Sequence, residues 1–406
     1  MMSIDWASWI GLAIRWLHLI TGIAWIGSSF YFVWLDNNLR KGPATKEGEA
    51  GELWAVHGGG FYHNKKYLVA PDDLPDHLHW FKYEAYFTWI SGFLLLGVVY
   101  YYGAELYLID RTKADLSQME AIGLGLGSLA VSWLVYDGLC KSPVGRNNRL
   151  LGILWFGILT GAAYGLSQIF SGRGAYIHVG AMVGSAMVAN VFFIIIPNQK
   201  KAVKAMLAGK RPDPALGIAA KQRSLHNNYM TLPVLFIMVS NHYPMTFSNP
   251  YGWAVLAGIA LSGITIRHFF NLRHRGEVKT GLIFLGVLIF VLTMIFAADM
   301  QHRQSQALAP KNAVTYADVA PLISKHCTAC HAAQPTHEYF DVAPSGVMLE
   351  TKAQIQQYAD RVRAQAVDAD MMPLGNETGM TMEERAILGA WINSLDAEKA
   401  ANGAGQ

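Results

Sequence analysis

An all-α fold, a polytopic bundle of about eight membrane-crossing helices followed by a small helical module, is what this sequence predicts. Three observations carry that reading. Hydrophobic residues make up 52% of the 406 positions and charged residues 15%, a balance foreign to ordinary soluble chains. The apolar residues gather into stretches of about 20, the length at which a helix crosses the hydrocarbon core with its amides satisfied internally. Beyond residue 299 the composition turns polar and acidic: residues 1–299 carry 24 Lys/Arg against 17 Asp/Glu, and 300–406 carry 8 against 12.

The apolar stretches run approximately over 8–34, 82–102, 119–139, 150–170, 176–197, 229–245, 251–271 and 280–299. The first has no Lys or Arg before Trp9 and no small-residue cleavage site, so a retained helix is expected, with no cleaved signal peptide. The sixth is the weakest, being short, interrupted by Pro233 and ended by Asn241, His242 and Pro244. Gly157, Gly161 and Gly165, at four-residue spacing, predict a close helix approach. Residues 300–314 read as a linker, and 315–406 as a separate module with helical patterns over 314–330, 350–367 and 381–396. Repetition is weak: His18 and His178 precede similar aromatic runs, which suggests two sets of four helices.

Counting Lys82 at the edge of the second stretch, Lys and Arg number 19 in the loops after the first, third, fifth and seventh stretches and 3 in the loops between them. The positive-inside bias then places the first set in the cytoplasm and both termini outside. The chain is expected in a bacterial inner membrane with its C-terminal module in the periplasm. Nothing in the charge distribution calls for nucleic acid.

Three cysteines make no disulfide framework, and two of them belong to Cys327-Thr328-Ala329-Cys330-His331. Cys-x-x-Cys-His is the attachment motif of haem c: two thiols add to the vinyl groups and the histidine becomes the proximal iron ligand. A thioredoxin-like pair would need a βαβ context, and zinc would need two more ligands. Downstream, Asp370-Met371-Met372-Pro373-Leu374-Gly375-Asn376 resembles the Met-Pro loop of class I cytochromes c. That resemblance implies Met372 as the distal ligand, with Met371 the alternative. Haem of this type is attached outside the cytoplasm, the side that the charge count selects independently.

Ionisable residues within the apolar stretches are functional candidates: Arg15, His18, Glu84, Glu120, Asp137, His178, Arg267 and His268. Arg15 and His18 share a helix face. The run Arg15-Trp16-Leu17-His18, through Trp25-Ile26-Gly27 to Phe30-Tyr31-Phe32, resembles the first helix of membrane protoporphyrinogen-oxidising proteins, whose histidine binds haem b. The resemblance implies a buried haem b on His18 with His178 as partner; the competing reading is a hydrogen-bonded core histidine. The first loop, about 46 residues, is long for a connector. Its His57-Gly58-Gly59-Gly60-Phe61-Tyr62-His63 offers acid/base groups beside glycines that permit close backbone approach. The competing readings are a flexible loop or a segment lying on the membrane surface. His226-Asn227-Asn228-Tyr229 is a secondary candidate patch.

Taken over the full length, the eight stretches, the Arg15-Trp16-Leu17-His18 opening, the His57-Gly58-Gly59-Gly60 loop and the terminal Cys327/Cys330/His331 module resemble the integral-membrane, cytochrome-c-fused urate oxidases (urate hydroxylases) of bacterial purine breakdown. The resemblance implies oxidation of urate to 5-hydroxyisourate, with electrons leaving through one covalent haem c to cytochrome c or the respiratory chain instead of forming peroxide directly. Water attack on the oxidised purine needs a base, for which His57 and His63 are the nominees. Two other functions fit the same features: a membrane dehydrogenase for another small substrate or quinol, and a transporter or anchor with an attached electron carrier.

Overall fold

The computed structural model describes residues 6–43, 45–369 and 371–403. Helices dominate it. In chain order the first part contains α1 (Trp6–Asn38), a β-hairpin, α2 (Tyr83–Leu95), α3 (Ala104–Tyr107), α4 (Gln118–Lys141), α5 (Asn148–Ser167), α6 (Gly172–Ala189), α7 (Ile196–Leu207), α8 (Pro214–Ser240), α9 (Gly252–His274) and α10 (Gly281–Ala307). Six stretches of helix are long and apolar enough to cross a membrane: Trp9–Asn38, Gln118–Lys141, Asn148–Ser167, Gly172–Leu207, Gly252–His274 and Gly281–Ala307. The remaining two predicted stretches are also helical. α2 continues through a π-helical turn over Leu96–Tyr101, and the sixth stretch is the second half of α8.

Local signals explain where the helices begin. Ser117 and Glu120 form a capping box on α4, Asn147 caps α5 and Asp213 caps α8 ahead of Pro214. Glu120, a candidate by position, is thereby occupied at a helix N-terminus. Pro233 does not end α8. A Cβ added to Gly263 of α9 would lie 3.1 Å from Leu232 Cβ, so the neighbouring helix packs closely along the turn that the proline weakens. α6 is the central helix, with Val179, Met182 and Ala186 buried against α4, α5 and α8.

The small-residue prediction needs correction. A Cβ at Gly157, Gly161 or Gly165 would meet nothing within 4 Å, so no helix approaches that stripe. Close approaches occur at Gly125 against His178, Gly180 against Ile237 and Gly286 against Ile266. Four-residue spacing shows that a smooth face exists, and the packing of the whole bundle decides which face is used.

The first loop departs from the all-α expectation. β1 (Glu49–His57) and β2 (Gly60–Tyr67) pair antiparallel, with Val56 opposite Phe61 and His57 opposite Gly60. Gly58 (φ 57°) and Gly59 (φ 81°) form the two-residue turn, where positive φ matches the twist of the strands. The glycines therefore serve a hairpin. Its base is tied to the end of α1 by the Lys66–Asp36 ion pair and by Arg40 pairing with Glu52.

α10 runs to Ala307, eight residues beyond the predicted start of the linker, with Arg303 bonded to Asp299 at 2.8 Å one turn back. The C-terminal module then builds α11 (Tyr316–His326), α12 (Lys352–Gln357), α13 (Ala359–Val362) with a π-helical turn over Arg363–Val367, and α14 (Met382–Gly403). Val319, Ile323, Ile355, Leu388, Trp391 and Ile392 form its core. The module rests on the bundle. Gly375 (φ 60°) lies so close to the backbone carbonyl of Glu105 in α3 that any side chain there would collide, and Gln301 donates to Asp368 O at 2.6 Å.

Candidate functional site

The end of α11 delivers the Cys-x-x-Cys-His segment. The amides of Cys330 and His331 donate to the carbonyl of Cys327 (3.2 and 2.9 Å), a turn that brings the two cysteines and the histidine together. Both thiols are free of disulfides. Burial pushes the Cys327 thiol up to about 12, with Cys330 beside it adding to the shift, and burial also raises Cys330. His331 Nδ1 lies 2.8 Å from Val347 O. A carbonyl only accepts, so Nδ1 carries the proton and the lone pair is on Nε2, the atom a proximal ligand uses.

Met372 packs against the module core beside Cys327, whereas Met371 packs against the buried cluster of the membrane bundle around Leu108 and Tyr176. Two free thiols and an Nε2 lone pair on one turn, with Cys327 and the Met372 thioether bordering the same core, fit a covalently attached haem c, whose chemistry when bound would be to accept one electron at a time. Asp370, which opens the same loop in the sequence, lies outside the described residues. Among the described residues no three His, Cys, Asp or Glu side chains cluster as a metal site, so Cys327 and Cys330 lack the further ligands that zinc requires.

The histidines nominated for haem b sit in separate settings. His18, half-buried, places Nδ1 2.9 Å from Thr88 O and 3.1 Å from Ser91 Oγ, with its ring against Gly92 of α2. Its Nε2 thus holds the lone pair. His178, fully buried, places Nδ1 2.8 Å from Gly174 O, and its Nε2 lies 3.3 Å from the Tyr101 hydroxyl and against Gly125 of α4. The two sets of neighbours share no residue.

Most other intramembrane candidates are paired. Asp137 bonds Arg223 (2.7 Å) and Lys141 (2.6 Å), and Arg223 also donates to Asn190 Oδ1 at 3.0 Å. Asn190 donates to Tyr136 Oη (3.1 Å) and Asn227 Oδ1 (2.8 Å). Tyr136 meets His226 Nδ1 (2.8 Å), and His226 Nε2 donates to Asn148 Oδ1 (3.1 Å). The His226 patch therefore joins a closed polar chain linking α4, α5, α6 and α8. Arg223 and Asn190 escaped sequence reasoning: one read as a loop charge, the other as a single amide in an apolar run. Nearby, Arg267 Nε donates to Asn228 Oδ1 (3.1 Å) with its guanidinium 3.8 Å from the Phe30 ring centre, and His268 Nδ1 meets Tyr229 Oη (2.7 Å). Arg15 is exposed, and Glu84 sits in the first turn of α2.

His57 and His63 stand exposed on the hairpin. His63 Nε2 lies 2.7 Å from Glu52 Oε2, and its ring stacks on Trp54 at 4.2 Å. His57 flanks the turn, opposite Gly60.

No curated protein and no solved structure matches the chain. A family model, that of the urate oxidase N-terminal domain, matches residues 4–298, which covers the bundle and stops short of the C-terminal module. With nearly three quarters of its length inside that match, the chain belongs to the urate oxidase N-terminal family.

Proposed function

We propose that this protein oxidises urate to 5-hydroxyisourate in the inner membrane, crossing it eight times, with a periplasmic cytochrome c module as the electron exit. The reaction balances as urate plus water giving 5-hydroxyisourate, two protons and two electrons. Cys327 and Cys330 hold haem c, His331 Nε2 and Met372 ligate its iron, and cytochrome c or another respiratory acceptor takes the electrons onward. Family membership supports the substrate. The observation that supports the coupling is the position of the Met371–Met372 pair, one residue in the core of the bundle and the next in the core of the module. A carrier merely tethered to an anchor would not need its ligand loop packed into the membrane domain.

The residues also fit the protonic half of the task. A Tyr, Asn and Arg lining is able to orient an oxopurine, while water supplies the oxygen and a base takes its proton. For a substrate held at the hairpin, His63, aligned by Glu52, is the nominee for that base, with His57 beside the turn. A buried haem b on His18, with His178 as partner, rests on the resemblance of the first helix, and acid-acetone extraction of non-covalent haem tests it.

The test of function is anaerobic addition of urate to purified protein. Reduction of the c-type bands, two external cytochromes c reduced per urate, and no stoichiometric peroxide are expected. Bands that respond to dithionite or a quinol but to no purine would overturn the reading in favour of a carrier or a quinol dehydrogenase.

A further inference from the structure

A cavity of about 510 Å³ lies where the cytochrome-like module meets the bundle. Its walls come from α3, the following loop, α5, α6, the loop before α9, and the Met371–Asn376 loop of the module. The volume falls within the range of roughly 300–1,000 Å³ usual for small-molecule sites, which favour domain interfaces. Its lining is aromatic on one side, with Tyr107 and Trp253, and polar on the other, with Lys113, Arg173 and Asn249.

Two features mark it as built for an anion bearing amide groups. Arg173 engages Tyr100 Oη (3.1 Å) and Asn241 Oδ1 (3.0 Å) through Nε, and lies over the Tyr107 ring at 4.9 Å. No carboxylate among the described residues reaches it within ion-pair distance. Asp110, the single carboxylate of the lining among the described residues, is instead held by Thr112 (2.6 Å) and faces Lys113 at 3.8 Å. Arg173 therefore presents an uncompensated positive charge to the cavity. Secondly, Asn249 Nδ2 and Ser248 Oγ, both lining residues, are sequestered from solvent and have no hydrogen-bond partner. Such orphaned groups cost free energy unless something meets them.

Resting on the urate reading above, we propose that this cavity is the oxopurine site: Arg173 and Lys113 attract the anion, Asn249 and Ser248 meet its carbonyl and N–H edges, and Tyr107 and Trp253 flank its plane. The position suits the chemistry, because Met371 forms part of the wall and the next residue is the proposed iron ligand. The histidine hairpin lies beyond the opposite end of α2. The helical run from Tyr83 to Tyr101 separates the two by about 28 Å at 1.5 Å per residue. A substrate held at the hairpin would need a relay through the bundle, and one held in the cavity would not.

The experiment uses the full-length haem-loaded protein and compares wild type with Asn249→Asp, Arg173→Gln and Lys141→Ala. Urate oxidation is followed by haem reduction, and binding of xanthine, a planar oxopurine, by equilibrium dialysis. Covalent haem content and the dithionite-reduced spectrum report folding in each variant. Asn249→Asp, which sets a negative charge beside the anion, is expected to raise KM and weaken xanthine binding by about tenfold or more, the loss typical of a hydrogen bond to a charged partner. Arg173→Gln should do the same, while Lys141→Ala, an exposed side chain outside the cavity lining, leaves both values near wild type. Wild type that oxidises urate while Asn249→Asp and Arg173→Gln keep their KM and xanthine affinity overturns the cavity as the site and leaves the urate reading standing. Wild type that gives no urate-dependent haem reduction removes the urate reading and this proposal together.

Discussion

Met371 and Met372 are adjacent in sequence yet pack into different hydrophobic cores, Met371 into the membrane bundle and Met372 into the C-terminal module. Met372 is therefore the residue we propose as the thioether ligand, with a docking role for Met371. Met372→Ala should lower the haem potential, since loss of a thioether ligand removes what raises it. Met371→Ala should leave the potential near wild type while loosening the module from the bundle. A spectroelectrochemical titration of both variants checks this, and a fall confined to Met371→Ala would reverse the assignment.

The proposed covalent haem rests on Cys327 and Cys330. The double Cys→Ala variant should lose all haem that survives denaturation and still insert its membrane helices, because the module core and the bundle core are separate clusters. Haem staining of denatured protein alongside a membrane-fraction immunoblot measures both. Urate consumption undiminished in this variant with oxygen as acceptor would show that the haem is not the electron exit.

Arg223 is buried, and Asp137 is its carboxylate partner at 2.7 Å. Removing one member of such a pair strands the other, at a cost of about 3–5 kcal/mol. Asp137→Ala should therefore lower the apparent melting temperature of the detergent-solubilised protein sharply. Lys141→Ala, which removes the exposed second partner, should cost under about 1 kcal/mol. Asp137→Ala combined with Arg223→Met should recover part of the loss, and equal losses for Asp137→Ala and Lys141→Ala would argue against a buried pair.

In the proposed topology the hairpin lies in the cytoplasm and the module in the periplasm. Since α10 continues to Ala307, a reporter belongs after Ala309 and not after Asp299. A second reporter fits between Gly58 and Gly59, at the exposed turn. Opposite compartment signals are expected from the two fusions. The same signal from both would break the eight-crossing topology.

Glu384 gives the module a pH dependence. Partial burial opposes its ionisation, but the Thr381 amide, Lys325 and His326 hold the carboxyl down at about 2, against an ordinary value of 4.5. A carboxyl depressed in the folded state stabilises above its unfolded value and loses that contribution as the pH falls towards the folded one. Module stability should decline between about pH 4.5 and 2. Glu384→Gln should be less stable at neutral pH and show a flatter decline across that window. Denaturation followed by haem absorbance at stepped pH measures it, and identical profiles would exclude the contribution.

The sequence by itself determined the helical class and the eight apolar stretches, because a run of about 20 apolar residues leaves the backbone little choice in lipid. It also made the Cys327, Cys330 and His331 set legible, because the proposed covalent attachment requires that spacing along a single turn. Met372 was legible as a type of residue in a type of loop, but its separation from Met371 appeared once two cores competed for neighbouring side chains. The tertiary structure decided what depends on partners far apart in the chain. It closed the polar network around Arg223 and left Gly157, Gly161 and Gly165 without a helix to receive. It folded the His57 loop into a hairpin whose glycines serve the turn. It also brought Lys113, Arg173, Asn249 and Met371 around one cavity from four distant segments. No local pattern encodes such a meeting, since each residue alone reads as an ordinary loop or helix-end side chain, and the packing of the module on the bundle makes them a set.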